Sequence, residues 1–139
     1  MEIEIFTLCD FAENMGGKLC IVGTFDCLNG NNFPLIHPTC SIALRGRFSK
    51  SEEGRHSIDV AFVDMDGKSI LPDLKSQLEV KVPADADYTV SMIVMGIGQL
   101  RINKPGKYCI DLIIDGKRER SLPLFVRKIG QALKDPLPV

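Results

Sequence analysis

The sequence predicts an all-β domain: a two-sheet, mostly antiparallel β-sandwich of about eight strands. Three observations lead there. Apolar and polar residues take turns along several segments, so that each presents one apolar side. Turn-forming residues fall between those segments. Before the C-terminal tail, no run places apolar residues three and four apart, as a helix buried on one face requires.

Taken in order, strands are expected at about 2–9, 18–27, 40–48, 57–65, 76–82, 89–97, 107–115 and 119–127. The alternation is clearest where Tyr108, Ile110, Leu112 and Ile114 interleave with Cys109, Asp111, Ile113 and Asp115. Leu78, Val80 and Val82 alternate with Glu79 and Lys81, and Ile58, Val60 and Phe62 with Asp59, Ala61 and Val63. Asp66-Gly67 and Asp115-Gly116 are Asp-Gly pairs, which tolerate the positive φ of tight hairpins. Lys104-Pro105-Gly106 is a second kind of turn, with proline setting φ ahead of glycine. Two-residue hairpins join only antiparallel neighbours, hence the mostly antiparallel expectation. Residues 10–17 read as a loop or a single helical turn, and Pro34 and Pro38 bracket an irregular segment. Pro123 cannot donate to a ladder, so the last strand must be at an edge or bulged there.

The 139 residues suit one domain, read as 1–127 with a flexible tail at 128–139 that carries Pro136 and Pro138. The composition, 45% hydrophobic and 25% charged, is that of a globular chain able to bury a core without staples. With 17 basic against 18 acidic residues, nothing marks it for a phosphate backbone, and nucleic acid is not expected as a partner. No apolar run is long enough to span a bilayer, and the acidic start Met1-Glu2-Ile3-Glu4 is unlike a secretory signal. The chain therefore reads as cytoplasmic, without membrane contact. Cys9, Cys20, Cys27, Cys40 and Cys109 are an odd count, better taken as reduced thiols than as a disulfide framework.

Two opening blocks resemble a known family. One is Phe6-Thr7-Leu8-Cys9-Asp10 with Gly16-Gly17-Lys18-Leu19-Cys20-Ile21-Val22-Gly23-Thr24-Phe25-Asp26. The other is Phe33-Pro34 with His37-Pro38-Thr39-Cys40-Ser41. Pro105-Gly106-Lys107-Tyr108 through Asp115-Gly116, and Leu122-Pro123-Leu124, are similar too. Together, over residues 1 to about 127, they resemble an uncharacterised bacterial family of small proteins, a domain of unknown function. The resemblance implies a β-sandwich-like fold and brings neither an activity nor catalytic residues.

Candidate chemistry is sparse. His37 and Cys40 have metal-ligand spacing, but no second such pair accompanies them, so no metal site and no cofactor is expected. His37 and His56 are the only bases a nucleophilic cysteine could use, and neither lies in a protease signature. Asp64-Met65-Asp66 and Asp85-Ala86-Asp87 each carry paired loop carboxylates. If their loops met at one end, with His37 and Cys40, they would form a small-ligand or calcium site. Arg45 and Arg47, two apart on one strand, share a face and suit a carboxylate or phosphate; cross-strand acids such as Asp59 or Glu79 are the plainer partners. Asp10 directly follows an apolar strand, where it caps a turn or acts. The ligand-binding candidates are thus Arg45, Arg47, His37 and Asp10, with no catalytic residue among them.

Glycine-rich phosphate loops are absent, since Gly16-Gly17 and Gly96-Ile97-Gly98 precede no helix. The functional expectation is a non-enzymatic binding or protein-interaction module whose partner is itself or another protein. The alternative is the small-ligand or calcium-binding sandwich.

Overall fold

The computed structural model describes residues 1–130. Among them are nine strands: β1 (Glu2–Met15), β2 (Lys18–Thr24), β3 (Cys27–Gly30), β4 (Leu35–Ser49), β5 (Gly54–Val63), β6 (Leu74–Val80), β7 (Tyr88–Ile102), β8 (Gly106–Ile114) and β9 (Lys117–Lys128). A 3₁₀ turn at Lys50–Glu52 separates β4 from β5. They form two sheets, ordered β2-β1-β4-β7 (sheet A) and β3-β9-β8-β5-β6 (sheet B). Every pairing is antiparallel except β3 with β9. No helix among the described residues is long and apolar enough to cross a membrane. The expected tail begins inside the structure, since β9 runs to Lys128; residues 131–139 lie outside the described residues.

The core sits between the sheets. Leu8, Ile42, Leu44 and Ile102 from sheet A meet Ile58, Phe62, Ile110, Leu112 and Leu124 from sheet B, all 5% exposed or less. Burying such side chains stabilises by about 1.5–3 kcal/mol each relative to exposure, the main term favouring this fold. A second apolar cluster, Cys9, Ala12 and Ala43 with Leu19, Ile21 and Val94 against it, is separate from that core. Ala43 and Val94 are register partners alternating with core residues Ile42, Leu44, Ile93 and Met95, so they lie on sheet A's other face.

The eight expected strands all form, and the departures have physical causes. β1 runs on to Met15, where a loop or helical turn was expected, because hydrogen bonding to β2 continues beyond the part of β1 covered by β4. There the strand is largely solvated, so no apolar alternation marks it; Gly16 and Gly17, at φ +61° and +85°, make the hairpin turn. The expected strand 18–27 is two strands in different sheets. Thr24 is the last residue of β2, the Phe25 N–H still bonds to the Leu8 carbonyl at 3.2 Å, and the Asp26 carbonyl already accepts from the Phe125 N–H at 2.8 Å. The chain changes sheets within two residues.

β4 and β7 are each longer than expected. Pro38 lies where β4 has outrun β1 and has only β7 beside it, and its partner position Gln99 adopts φ +52°. At Gln99 the core-facing side of β7 switches, from Ile93, Met95 and Ile97 to Leu100 and Ile102. Pro123 follows the edge rule. The Phe125 N–H points toward β3, so the nitrogen of Pro123, two residues earlier, faces the same way, before β3 pairing begins at Cys27–Phe125. Asp115-Gly116 forms the expected tight hairpin, with φ +52° and +82°.

Candidate functional site

The structure brings the four candidate residues together as two pairs. Arg45 and Arg47 do share a face, and both bond to the carboxylate of Glu4 on neighbouring β1. Arg47 also stacks 5.0 Å over the Tyr88 ring. Asp59 and Glu79, on sheet B, are engaged elsewhere: Asp59 stands opposite Lys75 in the register, and Glu79 lies 3.8 Å from Arg55. The anion that the two guanidinium groups suit is thus supplied from within the chain.

Asp10 and His37 meet at the end of the sandwich where β1 leaves β4. His37 Nε2 lies 3.6 Å from Asp10 Oδ1, and the ring packs against Phe25 with centroids 5.3 Å apart. That nitrogen is buried and has no hydrogen-bond partner among the described residues. Gly23 makes room for Asp10, since a Cβ there would stand 2.8 Å from Asp10 Oδ2. Nearby Cys40 is buried, and burial, helped by the negative fields of Cys9 and Asp10, pushes its thiol up to about 11. Burial likewise raises Cys9. Neither carries the thiolate that nucleophilic chemistry needs at neutral pH. All five cysteines are free.

The acidic loops do not converge, which corrects the expectation of a shared carboxylate site. Asp64 and Asp66 follow the end of β5, while Asp85 and Asp87 follow the end of β6. β5 and β6 pair antiparallel from Gly54–Val80 to Val60–Leu74, so the two loops leave opposite ends of the sheet. Asp64 is committed to its own turn, its Oδ1 accepting from the N–H groups of Asp66 and Lys68 at 2.9 Å each. Among the described residues, no group of three His, Cys, Asp or Glu side chains is placed to hold a metal ion.

Sequence reading missed a second histidine–carboxylate pair at the far end. His56 Nε2 donates to the Glu52 carbonyl at 2.6 Å, and Nδ1 donates to Asp115 Oδ2 at 2.6 Å. With Asp115 ionised, neither acceptor carries a hydrogen, so holding both bonds at once takes a hydrogen on each ring nitrogen, the imidazolium form. The Glu52 carbonyl first, and then Asp115, raise His56 above its ordinary 6.5. Asp115 is lowered, by His56 first and then by the Ser57 N–H, which bonds to its Oδ1 at 3.0 Å. The pair lies in a cleft of about 290 Å³ with Phe48, Lys117 and Glu119. Only the Asp-Gly turn advertised it in the sequence.

The sheet edges differ more sharply than the polar clusters. β6 carries Lys75 and Glu79 and is flanked by Pro72 and Pro83. β3 has four residues, and β2 has seven, starting at Lys18 and reaching Gly23 at φ +69°. Charge, proline, shortness and irregular backbone are the usual devices that prevent an edge from pairing. β7 has 15 residues, above the usual range of about 3–10, and no charge or proline from Tyr88 to Leu100. β4 occupies one side of it along its whole length; among the described residues, no strand bonds to the other. Residues 89–95, Thr-Val-Ser-Met-Ile-Val-Met, are all half-buried, with Val94 in the outer cluster and Ile93 and Met95 against the core.

The model of one family, described as a family of unknown function (DUF6941), matches residues 4–127, and the chain belongs to that family. No curated protein matches it.

Proposed function

We propose that this member of a family of unknown function is a non-enzymatic interaction module that accepts an extended strand along the free side of β7. One observation carries the reading: this is the long edge, with neither charge nor proline from Tyr88 to Leu100. Its outward N–H and C=O groups lie in a row that an added strand would satisfy, and main-chain hydrogen bonds would then supply affinity. The same stretch, apolar, uncharged and rich in β-branched residues, is an aggregation hazard if left bare in solution. A partner strand removes that hazard. Five free thiols suit a reducing compartment, and the reading places the module in a bacterial cytoplasm.

The test is amide hydrogen exchange by NMR on dilute protein, with a lysine-capped peptide of alternating threonine and valine as the added strand. Alternate amides of β7, those facing away from β4, should become protected as peptide is added, while β6 amides stay unchanged. Unchanged exchange along β7 at saturating peptide would overturn the reading.

A further inference from the structure

We infer that the strand received by β7 is β7 of a second copy, paired antiparallel about a two-fold axis through Val94, so that two four-stranded sheets A become one eight-stranded sheet. The inference rests on the reading above and adds partner and register to it.

The register follows from charge and size. An antiparallel self-pair centred on Val94 sets residues whose numbers sum to twice 94 opposite one another. The first charged residues beyond the neutral stretch are Asp87 before it and Arg101 near its end, both exposed. In this register Asp87 of each copy, just outside β7, comes level with Arg101 of the other, beyond the switch at Gln99, so the two exposed charges meet as an opposite-sign rim pair at each end and not as same-face partners within the ladder. No like charges oppose one another between them, because Tyr88 to Leu100 carries none.

Size matches as well. Met92 falls opposite Gly96 of the second copy, and Val90 opposite Gly98. A Cβ at either glycine would meet nothing within 4 Å, so both leave open space for the larger side chain. Directly opposed residues in an antiparallel pair lie on the same face, so Val94 of the two copies meet on the outer face and join the apolar clusters around Ala43. A perpendicular two-fold makes the interface isologous and closed, producing a dimer and no filament.

Sedimentation equilibrium over a micromolar-to-submillimolar range tests this with three exposed-site variants, Asp87→Arg, Arg101→Asp and the two combined. The wild type should be a dimer. Each single change sets like charges opposite at both ends and should weaken association about tenfold, the order expected for two rim pairs. The double change restores opposite charges and should recover wild-type association. Circular dichroism should show all variants folded alike. A wild type that stays monomeric overturns the inference, as does a dimer indifferent to the charge swap. If the threonine–valine peptide still protects β7 in either case, the strand-accepting reading survives and only the second copy as occupant falls.

Discussion

The two ends of the sandwich each hold a histidine beside an aspartate, and the two pairs do different things. At one end His37 faces Asp10 across 3.6 Å and keeps its Nε2 unbonded. At the other, both nitrogens of His56 are engaged at 2.6 Å, tying the 3₁₀ turn to the β8–β9 hairpin. The cause is the backbone nearby. Asp115 sits in a two-residue turn whose own N–H bonds to the Ser57 carbonyl, so its carboxylate is fixed before the histidine arrives. Asp10 projects from a strand that has lost one neighbour and is 61% exposed. Similar residue pairs therefore divide into a fastening and a loose contact, and residue identity alone does not separate them.

Three changes probe this contrast. The largest effect should come from Asp115→Ala. It removes the bonds to His56 and to the Ser57 N–H, and it puts a side chain disfavoured at φ +52° into the turn. With half the residue facing water, a loss of about 2 kcal/mol is expected in urea denaturation. Asp115→Asn, which tolerates that φ, should lose less.

His56→Gln comes next, and its cost should depend on pH. His56 is raised in the folded state, so its contribution is complete below the ordinary value of 6.5 and fades as pH climbs through the higher folded value. Asp115 is lowered, so its contribution persists until pH falls through a value below 3.8. The fastening is strongest between those limits. There His56→Gln should cost about 1 kcal/mol, shrinking to a few tenths in alkaline buffer. A pH-independent cost would refute the imidazolium assignment.

The smallest effect belongs to His37→Gln. It loses no hydrogen bond, only the ring's contact with Phe25, and should shift stability by no more than about 0.5 kcal/mol. A larger loss would mean that the two ends are more alike than their distances indicate.

Most of the fold was legible because alternation reports burial. Ile58 to Phe62 and Tyr108 to Ile114, the plainest alternations, are the strands at the centre of sheet B. Hydrogen bonding without burial leaves no such trace, which hid residues 10–15 of β1, while β3, at four residues, is too short to show a period. Gln99 hid the end of β7 by swapping its inward side. The arginine pair was visible from its spacing, but its partner was not, because no local pattern links Glu4 to Arg45 across a separation of 41 positions. Sequence proximity joined His37 to Cys40, whereas topology joined it to Asp10. His56 found Asp115 in the same non-local way.

The parallel contact of β3 with β9 also governs how the molecule is assembled. Cys27 leaves the ribosome well before its neighbour Phe125, so sheet B stays open while the strands between them are made. Closing it joins strands far apart in sequence, a topology that folds in milliseconds to seconds where proteins rich in local helical contacts take microseconds to milliseconds. Until then the nascent chain exposes bare strands, a period in which the cell's chaperones have something to hold.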